Sequence, residues 1–289
     1  VIAANAGGAF SPIGDVTTTM LWIANKVSTP HLFGYLLLPS LVCMLAPTFL
    51  ASRLSVFKGS LEVDDSEDQA VGRFSGTMLY LGLAAIVFVP VFKMVTHLPP
   101  YVGMMLSLGV VAIFAEIYSS SKFSLEALDK DGYSSPVHYS LTKIELPSIL
   151  FFLGILMAVA ALESLGILFG FADWLKVATP HLGTEVAGTQ VSDLVVLLLG
   201  VGSAVIDNVP LVAASLGMFS EPTDNILWHF IAYSAGTGGS MLIIGSAAGV
   251  VAMGMEKINF FWYLKKITWL AFVGFIAGAL VFFFTRTLF

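Results

Sequence analysis

This sequence predicts an all-α polytopic membrane protein, and three observations carry that prediction. Charged residues make up only 11% of the chain and hydrophobic residues 57%, against about 25% charged in an ordinary soluble domain. Apolar runs of about 20 residues, long enough to cross a bilayer as helices, recur between polar loops. Two apolar stretches are broken by glycine-rich segments that match each other: Gly7, Gly8, Ile13 and Gly14 fall on Gly238, Gly239, Ile244 and Gly245, each 231 positions later. Paired Gly/Pro interruptions in corresponding halves are the sequence sign of an inverted-repeat secondary transporter with a binding site near the bilayer midplane.

The elements follow in chain order. Residues 1–28 read as a broken helix, with an unwound stretch at 5–14 and a helix from Asp15 to about Lys26. Residues 32–52 read as a span kinked at Pro39 and Pro47, which together with the broken helix closes a first half-repeat over 1–52. The acidic segment 53–75 links the halves. The second half, 76–289, opens with spans at 76–95 and 101–118, joined at Pro99-Pro100, and a third at 147–170 after the polar loop 119–146. Residues 171–190 read as irregular.

In the apolar stretch 191–218, Ser203, the pair Asp207-Asn208 and Pro210 all fall in mid-run. Polar backbone at that depth is tolerated only inside protein or along a cavity, which predicts a re-entrant hairpin with Asp207 at its tip. A second broken helix covers 225–255 with its interruption at 236–241, an aromatic and basic strip runs from 256 to 267, and the last span is 268–285.

Charge by loop sets the orientation. With loop 53–75 on the cytoplasmic side, that side holds Arg53, Lys58, Arg73, Lys122, Lys130, Lys143, Lys257, Lys265 and Lys266. The other side holds Lys26, Lys93, Lys176 and Arg286. Nine against four follows the positive-inside rule, and it turns the two broken helices in opposite directions, as inverted repeats require. The net charge of −6 adds little to this. The lone Cys43, in an apolar run, reads as packing. Trp22, Trp174, Trp228, Trp262 and Trp269 lie toward span ends and read as interfacial belt residues.

The carboxylates decide the chemistry. An unwound membrane segment frees backbone carbonyls for a small ion, but helix N-termini there favour anions, so the breaks alone do not choose a charge. Asp15 follows the first break and Asp207 sits at the hairpin tip, where a charge costs on the order of 3 kcal/mol. Two fixed carboxylates repel anions and suit a hard cation, Na⁺ or Li⁺, and a carboxylate that holds either a proton or a cation is the minimal exchange device. Asn5, Ser11, Thr17, Thr18, Ser203, Asn208, Thr237 and Ser240 are candidate oxygen ligands beside them.

Each has a plainer structural use. Asp15 can cap the following helix, Asp207-Asn208 can satisfy a buried turn, and the hydroxyls, Ser246 included, can bond freed backbone or serve helix packing. Glu116 and Glu163 lie near span ends, facing an interface or an ion-pair partner. His229, about one turn before the second break, reads as a buried polar residue with a pH-sensing role as the alternative.

The stretch NAGGAFSPIGDVTTTMLW (residues 5–22) resembles the signature of NhaD-type sodium/proton antiporters, in the ion transporter superfamily that also holds arsenite and dicarboxylate carriers. SAVIDNVPLVAA (203–214) and YSAGTGGSMLIIGSAAG (233–249) resemble that family's second-half hairpin and broken helix. The resemblance covers essentially the whole chain. It implies Na⁺/H⁺ antiport without a cofactor by an elevator-like, usually homodimeric carrier in a bacterial inner membrane or plastid envelope. It also implies that the family's first-half spans and first hairpin lie upstream of Val1, so that the sequence reads as N-terminally truncated. Nucleic acid is not an expected partner.

Two rivals stay in view. An anion carrier of the same superfamily fits the paired breaks, but a Ser-Asn-Thr-like tip would be expected where this chain has Ile206-Asp207-Asn208. An intramembrane aspartyl enzyme using Asp15 and Asp207 would carry Gly-x-Gly-Asp, whereas Ser11-Pro12-Ile13-Gly14-Asp15 lacks the first glycine.

Overall fold

A computed structural model describes residues 1–54, 75–96, 98–126, 137, 141–142, 146–167, 170, 174, 186, 189 and 191–287. Among them every extended regular element is a helix: α1 (Ile2–Ala9), α2 (Val16–Ile23), α3 (Thr29–Arg53), α4 (Ser75–Thr96), α5 (Pro100–Glu126), α6 (Leu146–Ser164), α7 (Asp193–Ile206), α8 (Asn208–Met218), α9 (Ile226–Gly238), α10 (Ala247–Met255), α11 (Phe260–Lys266) and α12 (Thr268–Thr285). Among the described residues four helical stretches are long and apolar enough to cross a membrane: α3, α4, Tyr101–Tyr118 within α5, and α12. The linker over 55–74 and most of 127–145 and 171–190 lie outside the described residues.

The chain divides into two compact units, one from Val1–Gly59 with Phe152–Phe289 and one from Ser60–Phe151. In the second, α4 and α5 pair as an antiparallel hairpin. The Ser107 hydroxyl donates to the Ala85 carbonyl at 3.0 Å, and Gly103 faces the Phe92 ring, which a Cβ there would approach to 3.0 Å. Most of their apolar side chains are exposed, Leu79 at 62% and Val87 at 64% for example, as expected of surfaces whose solvent is lipid.

The first unit is organised around α9, in which every residue from Leu227 to Gly238 is buried. It packs on α1, α2, α3, α7, α8 and α12. Small residues allow this crowding, as is usual between membrane helices. A Cβ on Gly200 would come within 2.8 Å of the Ser234 carbonyl oxygen, and one on Gly238 would run into the Gly200 carbonyl. Where α12 packs on α3, Gly274 and Gly278 lie against Pro47 and Pro39, the two prolines inside α3. Tyr233 donates to the Phe275 carbonyl at 2.7 Å, and Phe230 stacks on Phe282 with centroids 4.8 Å apart. At the end of α12, Arg286 pairs with Asp193 at 2.7 Å.

The structure corrects the expected positions of both interruptions. Gly7–Ala9 continue α1 and Gly236–Gly238 continue α9, so the non-helical stretches are 10–15 and 239–246 rather than 5–14 and 236–241. Gly8 and Gly238 serve close packing at the helix ends, and the chain unwinds after them. Trp22 and Trp228 are 2% and 0% exposed and belong to the core rather than to an interfacial belt, whereas Trp174, Trp262 and Trp269 are exposed. Cys43 is buried, as packing requires.

Candidate functional site

The first interruption is a tight double turn. Ser11 N–H donates to the Gly8 carbonyl at 3.3 Å and Gly14 N–H to the Ser11 carbonyl at 3.2 Å. This folds Gly14 back onto Gly8, so closely that a Cβ on Gly8 would sit 2.6 Å from the Gly14 oxygen. Asp15 then starts α2 as its N-cap, with φ −146° and ψ 152°, its Oδ1 accepting from Val16 N–H at 2.8 Å. The carbonyls freed by the turn are taken up locally. Thr18 Oγ1 donates to the Ser11 oxygen at 2.7 Å, and Thr19 Oγ1 to the Pro12 oxygen at 2.8 Å.

The second interruption repeats the latter part of this geometry. Gly245 N–H donates to the Leu242 carbonyl at 3.1 Å, at the positions matching Gly14 and Ser11. A Cβ on Gly239 would meet the Gly245 oxygen, as Gly8 meets Gly14. Ser246 matches Asp15, starts α10 with φ −155° and ψ 152°, and caps it by accepting from Gly249 N–H at 3.2 Å. Each break also touches the helix that leads into the other. Asn5 Nδ2 donates to Ser246 Oγ at 3.0 Å, while Gly236, the match of Asn5, faces Asp15, whose Oδ2 would lie 3.6 Å from a Cβ there.

Asp207 is the single non-helical residue between α7 and α8. Its φ of 76° is in the left-handed region, which Asp tolerates better than most residues. Its Oδ1 accepts from Asn208 N–H at 2.7 Å and so caps α8. Pro210 falls in the first turn of α8, where its missing N–H is no loss. From this tip Asn208 Nδ2 donates to Asp15 Oδ2 at 3.2 Å, which also accepts from the Thr17 hydroxyl. The hairpin tip thus reaches the first break directly.

These elements enclose a cavity of about 350 Å³ lined by Asn5, Asp15, Thr19, Asp207, Asn208 and Ser246, with Ala4, Ile13, Gly14, Val16, Val209, Ala247 and Ala248. Of the residues singled out from the sequence, the cavity wall includes Asp15, Asp207, Asn5 and Asn208. Thr17 stands behind Asp15, fully buried. Ser11, Thr18, Ser203, Thr237 and Ser240 are not among the lining residues. The last four donate to backbone carbonyls, Ser203 to Gly200 at 2.7 Å, Thr237 to Tyr233 at 2.6 Å and Ser240 to Thr237 at 2.6 Å.

Thr19 lines the cavity with no distinguishing sequence signal beside Thr17 and Thr18. Ser246 had one, its alignment with Asp15. Among the described residues no three His, Cys, Asp or Glu side chains are placed to hold a metal ion. A cation in this cavity would therefore need hydroxyl, amide or backbone oxygens besides the carboxylates.

The Ser246 cap can be tested by itself. Ser246→Ala removes both the α10 cap and the acceptor of Asn5, and is expected to cost about 1–2 kcal/mol. Ser246→Asp keeps a capping oxygen and should cost less. Thermal unfolding in detergent ranks the two, and equal losses would contradict the capping role.

A family model described as a citrate transporter matches residues 1–230. The chain belongs to that transporter family. "Sodium/proton antiporter 1" of Arabidopsis thaliana is 46% identical over 284 residues, which is 96% of this chain and 46% of the relative. "Sodium/proton antiporter 2" of the same plant is 43% identical, covering 98% of this chain and 65% of the relative. "Na(+)/H(+) antiporter NhaD" of Alkalimonas amylolytica is 36% identical, covering 97% and 59%. The chain thus spans between about half and two thirds of the length of these relatives. No solved structure matches. Membership and the apolar helices together make this an integral membrane protein of a transporter family, with relatives of the NhaD type that its motifs resemble.

Proposed function

We propose that this chain carries the exchange site of a membrane antiporter that moves Na⁺ (or Li⁺) against H⁺, with Asp15 and Asp207 as the carboxylates that hold either ion. The observation that carries this reading is that the two aspartates, 192 residues apart in sequence, line one cavity. Each uses Oδ1 as a helix cap, and Asp15 Oδ2 is oriented by Asn208 and Thr17. Asn5, Asn208, Ser246 and the Thr17 hydroxyl supply oxygens and orienting donors around them. The names of the relatives agree with this cargo.

The matched turns, caps and exchanged contacts of 10–15 and 239–246 support an inverted repeat of two broken helices flanking the re-entrant hairpin α7–α8. The division at 52 and 75, the cytoplasmic placement of 53–75, a homodimer, and a home in a bacterial inner membrane or plastid envelope belong to the same proposal. They rest on charge distribution and family resemblance.

One observation favours a second reading. The N-termini of α2, α8 and α10 all open on the cavity through their caps, and converging helix N-termini attract anions. An anion carrier would use those ends; the two carboxylates weigh against it. Everted vesicles with an imposed pH gradient separate the readings. Addition of Na⁺ or Li⁺ should collapse the gradient, and citrate or succinate at equal ionic strength should not. A response to the dicarboxylate alone would replace the cation reading.

A further inference from the structure

The two breaks differ in what holds them. In the first, the freed Ser11 and Pro12 carbonyls are taken up by Thr18 and Thr19 of α2, the helix that follows directly. In the second, two carbonyls are held from outside the broken helix. Tyr263 Oη donates to the Ser240 oxygen at 2.8 Å, and Thr268 Oγ1 donates to the Met241 oxygen at 2.6 Å. Tyr263 belongs to α11 and Thr268 opens α12. The short helix α11 is thus fastened to the segment 239–246, whose last residue, Ser246, lines the cavity.

Of the seven residues of α11 only Tyr263 is buried, while Phe261, Trp262, Leu264, Lys265 and Lys266 are exposed. Lys265 follows Phe261 by four residues and Lys266 follows Trp262 by four, so each ring shares a helix face with a lysine. Lys257, in the turn before α11, is exposed as well. Among the described residues none of the three lysines has an ion-pair partner. Glu256 is the one acid in the strip 256–267.

The span that follows sets the depth of this face. α12 has 18 residues, about 27 Å at 1.5 Å per residue, close to a hydrocarbon core of about 30 Å. Lys265 and Lys266 precede it and Arg286 follows it, so charges bracket the apolar layer and α11 lies at one of its boundaries. Exposed rings and lysines at that level match the headgroup region, where rings sit among the headgroups and ammonium groups reach phosphate. An acidic soluble partner would match the lysines but would have to displace headgroups already within their reach.

We propose that α11 is a sensor of anionic lipid. Phosphate-bearing headgroups bind Lys257, Lys265 and Lys266, seat Phe261 and Trp262 at the boundary, and through Tyr263 and Thr268 steady the second break. A helix of seven residues is far too short to hold by itself, since isolated helices are marginal below about 12–15 residues. The order of α11 therefore depends on what it touches. On one side that is α12 and the break, and on the other it is the lipid. Loss of the lipid loosens α11, and the Ser240 and Met241 carbonyls lose their fixed donors. The proposal does not depend on which ion the cavity carries.

Hydrogen exchange read by mass spectrometry on the intact protein in uncharged detergent micelles tests the link without reference to transport. Titration with phosphatidylglycerol should raise the protection of peptides covering 239–246 and 260–268, and phosphatidylcholine at the same mole fraction should not. The effect should weaken as salt is added. Lys265→Gln combined with Lys266→Gln should raise the phosphatidylglycerol fraction needed for half the effect by about tenfold or more, each exposed lysine being worth about fivefold. Tyr263→Phe combined with Thr268→Val should keep phosphatidylglycerol on the protein, counted by native mass spectrometry, yet remove its effect on 239–246. Free glycerol phosphate and polyglutamate should have no effect.

Equal protection with the two lipids, or an unchanged titration in the lysine variant, would overturn the proposal. So would a response of 239–246 that survives in the Tyr263→Phe/Thr268→Val variant, or the same response to glycerol phosphate or polyglutamate. Should the Tyr263→Phe/Thr268→Val variant fail to fold, the lysine variant, altered only at exposed side chains, decides alone.

Discussion

Asp15→Asn is expected to abolish cation-driven proton movement while leaving the protein folded and inserted. Asn keeps the oxygen that accepts from Val16 N–H, and Asn is as good an N-cap as Asp, so α2 should start where it does now. What is lost is the charge. A cation near the bilayer centre without a counter-charge faces a cost on the order of 3 kcal/mol, which is about a hundredfold in affinity. The proton-carrying form is lost as well, because an amide does not titrate. Asp207→Asn should behave alike, its cap to Asn208 N–H retained.

Asp15→Glu keeps the charge but lengthens an arm whose Oδ2 is now fixed by Asn208 and Thr17. It should shift apparent cation affinity rather than silence the protein. The measurement is fluorescence dequenching in everted vesicles on adding Na⁺ or Li⁺, with expression checked in the same membranes. Near-normal exchange by Asp15→Asn would leave Asp15 as a cap only, and normal exchange by both Asn variants would remove the carboxylate mechanism.

The parts of this molecule that were legible in the sequence are those set by composition and chain-local chemistry. A long apolar run has few fates, so the ends of α12 (Thr268–Thr285) coincide with the expected span, and α4 (Ser75–Thr96) differs from its expected span by one residue at each end. Asp-Asn-x-Pro in mid-run leaves little room except at a turn, and Asp207 separates α7 from α8 with positive φ.

The parts that were not legible depend on which neighbour a residue meets. Glycine was read as a point of unwinding, yet Gly7, Gly8, Gly236 and Gly238 remain helical, and two of them, Gly8 and Gly238, instead let other backbone approach closely. Thr17, Thr18 and Thr19 are chemically alike in sequence. Only helical phase decides that one bonds Asp15, one the Ser11 carbonyl, and one reaches the cavity while bonding the Pro12 carbonyl. Likewise Trp228 has the composition of a belt residue, but it lies in the first turn of α9, buried from Leu227 to Gly238, and takes Glu221 and Lys26 as partners.

Gly8→Ala should be destabilising, and Gly7→Ala should not, although the two glycines are adjacent in one motif. At Gly7 an added Cβ meets nothing within 4 Å. An alanine there reduces the freedom of the unfolded chain and favours helix, for a gain of about 0.5–1 kcal/mol. At Gly8 the Cβ would stand 2.6 Å from the Gly14 oxygen and 3.0 Å from Asp15 Cβ. The obstacle is backbone rather than a side chain that can swing aside, so the double turn must open. Overpacking of this kind typically costs about 1–3 kcal/mol, and the rigid neighbour places Gly8→Ala near the top of that range.

The displacement falls on the residue that heads α2, so Asp15 should also lose its alignment with Asn208 and the exchange rate should drop with the stability. Gly239→Ala, the matching change in the second break, meets the Gly245 oxygen and should reproduce the defect. Apparent melting temperatures in detergent and exchange rates in vesicles for the three variants give the answer. Equal behaviour of Gly7→Ala and Gly8→Ala would mean that the fold of residues 10–15 described above does not position the site.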